Sequence, residues 1–134
     1  RFAAGFIGSV NMFEGKVEED RADYVTIATP SLDTAIYVGH GISGFEGQEV
    51  SFGVRPEKVQ ISKEEPDQRY NKARGKIEDI AYFGSHSVFH VRLANQTKVL
   101  ANMINSQRWA SEQFTWNDTV WLSWDEQAGV VLTS

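Results

Sequence analysis

Apolar and polar residues alternate along most of the chain. Val50, Phe52 and Val54 alternate with Glu49, Ser51 and Gly53, and Phe89, Val91 and Leu93 with Val88, His90 and Arg92. Val120, Leu122 and Trp124 alternate with Thr119, Trp121, Ser123 and Asp125, and Val25 and Ile27 sit between Tyr24, Thr26 and Ala28. A period of two puts successive side chains on opposite faces of a strand, so each run predicts one face in and one face out. Further strand-like runs are Met12–Val17, Ala35–Val38, Val59–Ser62, Lys76–Phe83, Lys98–Ile104 and Gly129–Leu132. About nine or ten short strands follow, the pattern of a sandwich or a small barrel.

Turn-forming residues separate the runs: Thr29-Pro30-Ser31, the glycine-rich stretch 39–47, Glu65-Pro66-Asp67, Gly84-Ser85, Asn95-Gln96 and Asn117-Asp118. Helical signals are confined to Phe2–Ile7, closed by Gly8, and Ser106–Gln113, with Ser106 as a cap. The polar segment Glu64–Ala73, which contains Pro66, reads as a long connection between two groups of strands. No internal repeat and no low-complexity tract is legible.

At 134 residues the chain is one domain's worth of sequence and long enough for a core without staples. Cysteine is absent, which excludes disulfides, a thiol nucleophile and cysteine-ligated zinc. The net charge of −5 disfavours a phosphate-coating role. No apolar run reaches the roughly 18 residues of a membrane span, and no signal peptide is visible. The acidity is concentrated in residues 1–53, which carry 3 basic and 8 acidic side chains, against 10 of each in residues 54–134.

Candidate chemistry is sparse. Gly39-His40-Gly41-Ile42-Ser43-Gly44 spells a dinucleotide-type glycine pattern, but an alternating strand follows where a helix would have to hold the pyrophosphate, so a hairpin loop is expected. His86 and His90 are four apart on a strand, roughly 13 Å along it, too far to share an ion easily. Arg69, Lys72, Arg74 and Lys76 form a basic run beside Tyr70, the kind of segment an OB-fold nucleic-acid binder would use, but Glu64, Glu65, Asp67, Glu78 and Asp79 flank it and cancel most of its field. Acidic doublets read as solvated turns, and Glu78-Asp79 interrupts an apolar strand where a bulge would fit. No nucleophile elbow, phosphate loop or Ser/His/Asp set appears. Trp121 faces away from Val120, Leu122 and Trp124, so it is either an interface residue or part of a second buried face. Pro56 cannot donate to a ladder and marks a strand end, with Arg55 and Glu57 beside it. A partly buried, paired Arg55 would make Arg55→Ala cost roughly 1–3 kcal/mol.

Four pieces together resemble a known family. Arg1–Gly15, with its Phe6-Ile7-Gly8 and Asn11, is similar to the junction where an ABC-transporter ATPase domain meets its C-terminal TOBE domain. Val54-Arg55-Pro56-Glu57-Lys58-Val59 resembles the Arg-Pro-Glu signature of TOBE domains. The stretch Gly75–Leu93, with Tyr82-Phe83-Gly84, resembles the second half of such a domain, and Trp116–Leu132 its closing pattern. Within the family, Tyr82–Leu93 and Phe114-Thr115-Trp116 look most like the polyamine (putrescine or spermidine) importers.

The resemblance implies an all-β, OB-fold-like barrel of short antiparallel strands with little helix. It implies residues 1–8 as the remnant of the ATPase domain and 9–134 as a TOBE domain that regulates or dimerises the ATP-binding subunit of an importer. The fragment itself would be non-catalytic, with no cofactor or metal of its own; ATP and Mg would belong to the missing ATPase domain of the parent. Expected partners are a second copy of the ATPase subunit, the parent ATPase domain and the membrane permease subunits, on the cytoplasmic face of a bacterial plasma membrane, with no nucleic acid. Arg55, Pro56, Glu57, Gly84 and Trp121 are the structural or interface signature. The rival expectation is a solute-sensing module, its acidic first half suited to a cation such as a polyamine.

Overall fold

The computed structural model describes residues 10–30, 32, 34–42, 44–83, 86–94, 96–104 and 114–132. They form ten strands: β1 (Asn11–Asp20), β2 (Val25–Ala28), β3 (Ile36–Val38), β4 (Glu49–Val54), β5 (Gln60–Ser62), β6 (Lys72–Tyr82), β7 (His86–Leu93), β8 (Lys98–Ile104), β9 (Thr119–Ser123) and β10 (Gly129–Leu132). The alternation predicted these strands. β6, however, begins at Lys72, inside the segment expected to be loop, because Lys72–Lys76 pair in register with β9. The predicted helical segments 2–7 and 106–113, and the proposed boundary at residue 8, lie outside the described residues.

The strands form two curled antiparallel sheets, one ordered β10-β4-β1-β2-β3 and the other β5-β9-β6-β7-β8. The alternating residues of both sheets meet in one core, where Phe13, Phe52 and Phe89 are at most 1% exposed. Trp124 lies between the sheets, its ring centroid 5.6 Å from Phe13 and 6.4 Å from Phe52. Burying one such aromatic contributes about 1.5–3 kcal/mol. Val120, Leu122 and Trp124 do face inward.

The two sheets are built to one plan, which corrects the expectation that the chain has no internal repeat. β1 through β4 and β6 through β9 follow the same order, and the fifth strand of each half is exchanged: β5 pairs with β9, and β10 with β4. Gly15-Lys16-Val17-Glu18-Glu19 of β1 matches Gly75-Lys76-Ile77-Glu78-Asp79 of β6. Each copy has a register shift at its first glutamate, so the expected bulge at Glu78 is present and has a twin at Glu18. At the residue before each bulge the same hydrogen bonds recur. Val17 N–H donates to Gln48 O and Gly47 N–H to Val17 O; Ile77 N–H donates to Asp118 O and Asn117 N–H to Ile77 O. Gly47 (φ 88°) and Asn117 (φ 70°) occupy the same left-handed turn position, where glycine and asparagine carry the least penalty. The repeat is hidden in the sequence because most paired positions differ in residue type and the loops differ in length.

Two buried asparagines fasten the sheets together at equivalent places. The Asn11 side-chain amide donates to Leu100 O at 2.9 Å and accepts from Leu100 N–H at 2.8 Å. The Asn71 amide donates to Tyr37 O at 2.9 Å and accepts from Tyr37 N–H at 2.8 Å. Each amide satisfies a backbone donor and acceptor that the third strand of the opposite sheet would otherwise leave unpaired.

Candidate functional site

The Arg55-Pro56-Glu57 corner connects β4 to β5. Arg55 is extended (φ −73°, ψ 146°), as a residue before proline must be, and Pro56 opens a 3₁₀ turn over Pro56–Lys58, where its missing N–H costs nothing. Pro56 is buried and pins the strand end. Arg55 is not buried: its side chain is 64% exposed and its ion pair with Glu57 spans 3.7 Å. An exposed pair of this length contributes little, which removes the basis for a large loss in Arg55→Ala. This corner shares a surface groove of about 380 Å³ with Phe83, His86, Val88, Leu100 and Asn102. Phe83 stacks on His86 at 5.0 Å, and Tyr82 and Phe83 are both more than half exposed. The structure thus brings Arg55, Pro56 and Glu57 beside the Tyr82-Phe83 hairpin end. Gly84 lies outside the described residues.

Trp121 is elsewhere. It is half-buried on the outer face of β9, with the Lys72 ammonium 5.8 Å from its ring centroid and Arg74 opposite it on β6. His86 and His90 both sit on the outer face of β7. Among the described residues no helix follows Gly39–Gly44; the next strand is β4.

At the pseudo-equivalent position to the Arg55 corner lies a groove of about 360 Å³ lined by Tyr37, Gln68, Arg69, Tyr70, Asn71, Trp124, Asp125 and Glu126. Tyr37 is the middle of a stack, 5.2 Å from Tyr24 and 5.5 Å from Tyr70, and the Arg69 guanidinium lies 5.2 Å from the Tyr70 ring centroid. Burial, and after it the nearby Glu126 and Asp23, pushes the Tyr37 phenol above its ordinary range. Rings and carboxylates in one groove are the chemistry that receives a small organic cation.

A TOBE-domain family profile matches residues 52–132 of this chain. The chain belongs to the TOBE domain family. Over 133 residues this TOBE chain is 38% identical to the "Putrescine transport ATP-binding protein PotG" of Escherichia coli K12, covering 99% of the chain and 35% of that protein. It is 30% identical over 134 residues to the "Spermidine/putrescine import ATP-binding protein PotA" of Protochlamydia amoebophila and 32% identical over 138 residues to that of Thermobifida fusca, covering 98% of the chain in both cases. The chain thus spans about a third of the length of these relatives. Among solved structures, the cytoplasmic molybdate-binding protein ModG with molybdate bound superposes with a TM-score of 0.77 at 13% identity, over 92% of this chain and 96% of that one. That likeness shows the fold, an OB-like all-β architecture.

Sequence reasoning reached the Arg55-Pro56-Glu57 corner of this TOBE domain but missed the aromatic groove. Tyr24, Tyr37 and Tyr70 lie on different strands and loops, and nothing in their spacing announces that they stack. Of the acids flanking the basic run, Glu65 offsets Lys72 as expected, whereas Glu78 is turned to other cations. Glu65 pairs with Lys72 at 2.8 Å, and Glu78 accepts from Arg92 and pairs with Lys98 at 3.2 Å. The acids adjacent in sequence leave Arg74 and Lys76 without an ion-pair partner among the described residues. These hydrogen bonds, that from Arg92 first, hold the Glu78 carboxyl below its ordinary range.

Proposed function

We propose that this TOBE chain is a non-catalytic regulatory and dimerisation domain of the ATP-binding subunit of an ABC importer, and that the solute is a polyamine. The observation that carries the reading is the 38% identity spanning 99% of the chain and 35% of a putrescine transport ATP-binding protein. The parent would bind ATP and Mg in its own ATPase domain, pair with a second copy, and engage permease subunits at the cytoplasmic face of the membrane. The described residues supply grooves and two sheet faces for contact, and no helix long and apolar enough to cross a membrane. The test is to sequence the coding DNA upstream of Arg1. A frame that continues through a G-x-x-x-x-G-K-[ST] loop and an ABC signature supports the reading; a start codon immediately upstream overturns it. With the full-length protein in hand, deletion of the domain should change putrescine-dependent ATPase activity while leaving basal hydrolysis.

A second reading, a solute-sensing module, is favoured by one observation: Tyr37, Tyr70, Asp125 and Glu126 line a single groove. Calorimetric titration with putrescine and spermidine tests it. Saturable heat that is lost in Asp125→Asn/Glu126→Gln supports it, and no heat with either amine overturns it.

A further inference from the structure

The two halves of the fold share a frame, so a residue type present in one half and absent from the other is one the frame does not require. The bridging asparagine is common to both. Asn71 holds the Tyr37 backbone and Asn11 the Leu100 backbone, which makes Tyr37 and Leu100 equivalents. Tyr70 precedes Asn71 as Val10 precedes Asn11. Tyr24 and Val88 lie two residues before Thr26 and His90, which pair with Glu19 and Asp79 past the two bulges. Asp125 follows Trp124, whose N–H donates to Asn71 O, and Arg55 follows Val54, the register partner of Asn11. Aliphatic residues and an arginine thus serve in one half where the other has three tyrosines and an aspartate. The stack and its acids are an addition to the shared frame, not a condition of it.

The added groove already contains a cation. Tyr37 has a ring on either side, Tyr24 at 5.2 Å and Tyr70 at 5.5 Å. Tyr70, at the end of the stack, carries the Arg69 guanidinium 5.2 Å from its ring centroid. The segment bearing this ring is fixed: the Gln68 side-chain amide donates to Tyr70 O at 2.8 Å, to Asn71 O at 2.9 Å and to Trp124 O at 3.2 Å. The Arg69 side chain is exposed and forms no ion pair among the described residues. Asp125 and Glu126 line the same groove of about 360 Å³, and they too are exposed and without an ion pair among the described residues. Their loop is tied down, since Gly39 N–H donates to Glu126 O at 3.1 Å and the Gln127 side-chain amide to Gly39 O at 3.0 Å. The groove therefore combines a fixed ring, two carboxylates on a fixed loop, and one movable guanidinium that uses the ring and leaves the carboxylates unpaired.

We infer that Arg69 is a built-in competitor for this groove: its guanidinium holds the Tyr70 ring until an organic cation displaces it into solvent. The inference rests on the solute-sensing reading above and names the residue that sets its threshold. An amine that reaches the ring and the carboxylates replaces one cation–ring contact by another, and adds the charge-assisted contacts with Asp125 and Glu126 that Arg69 does not make. An uncharged solute gains neither and does not displace the guanidinium. Because the competent form is the one with Arg69 turned away, the apparent affinity is lowered by the fraction of time that Arg69 spends on the ring.

The test joins calorimetric titration of the 134-residue chain with putrescine to the NMR signal of the Arg69 side-chain Nε–H, assigned by its loss in R69Q. The Tyr70 ring current holds that signal upfield. On addition of putrescine it should move toward the position of free arginine, with the same midpoint as the heat. R69Q should bind putrescine about two- to fivefold more tightly than wild type, the worth of one exposed cation–ring contact. The substituted side chain is exposed, and a thermal melt confirms that the variant is folded. A signal that tracks the heat, together with tighter binding by R69Q, establishes the displacement, and heat in R69Q with none in wild type supports it. Saturable heat with an unmoved Arg69 signal overturns the inference and leaves the solute-sensing reading standing, even if R69Q binds more tightly, because the gain is then relief of charge repulsion alone. An R69Q that binds no more tightly than wild type also overturns it. No heat from either protein overturns both readings.

Discussion

Replacing Asn71 with alanine removes both hydrogen bonds that the side-chain amide exchanges with the Tyr37 backbone, at 2.8 and 2.9 Å. Tyr37 belongs to β3, the edge strand of its sheet, so no neighbouring strand replaces them. Asn71 is 3% exposed, and each lost bond costs about 1 kcal/mol net. Asn71 also sits at φ 59°, a left-handed conformation that costs alanine about 1 kcal/mol more than asparagine or glycine. The sum is about 3 kcal/mol, a large part of the roughly 5–15 kcal/mol that holds a domain of this size together. Three variants separate the contributions. Asn71→Ala should lose about 3 kcal/mol. Asn71→Gly should recover about 1 kcal/mol of that, since glycine accepts the positive φ but makes no bridge. Asn11→Ala breaks the equivalent bridge to Leu100, at a residue without positive φ, and should lose about 2 kcal/mol. Urea unfolding followed by tryptophan fluorescence measures all three. A loss under about 1 kcal/mol in Asn71→Ala refutes the argument that these amides fasten the sheets, and an Asn71→Gly no better than Asn71→Ala refutes the conformational part.

Arg55→Ala should shift stability by less than about 0.5 kcal/mol in the same assay, because the guanidinium is exposed and its pair with Glu57 is long; a drop of several degrees in Tm would show a buried partner. Gly75→Ala should cost about 1–3 kcal/mol, since its Cβ would come within 2.6 Å of Arg92 O, a backbone atom that cannot swing away; an unchanged denaturation midpoint would mean that β6 and β7 can move apart. Glu78 has a folded pKa below its ordinary value of 4.5 because Arg92 hydrogen-bonds its charged form, so its contribution is complete above the unfolded value and is lost as the pH falls through the folded one. Thermal melts between about pH 6 and pH 2 should therefore show a shallower acid-side loss in Glu78→Gln than in wild type; parallel curves would show that the Arg92 and Lys98 contacts do not couple to folding.

The strands were readable because their signal is local. In β7, His86, Val88, His90 and Arg92 face outward and Ser87, Phe89, Val91 and Leu93 face the core, as alternation alone requires, and the family was legible because Arg55-Pro56-Glu57 is contiguous. What the sequence could not express is pairing between distant segments. Lys72 and Ala73 look like loop until β9 lies beside them. Trp121 is half-buried on the outer face of β9, where Lys72, far from it in sequence, lies over its ring. The duplication stays hidden although Gly15–Glu19 and Gly75–Asp79 nearly match, since the remaining equivalences are of hydrogen bonding and not of residue type. The ion pairs of the second sheet follow the same rule. Glu78 pairs with Arg92 and Lys98 on other strands, not with Lys76 beside it in the sequence. Residue order decided which faces are apolar; only the tertiary pairing decided which charges meet.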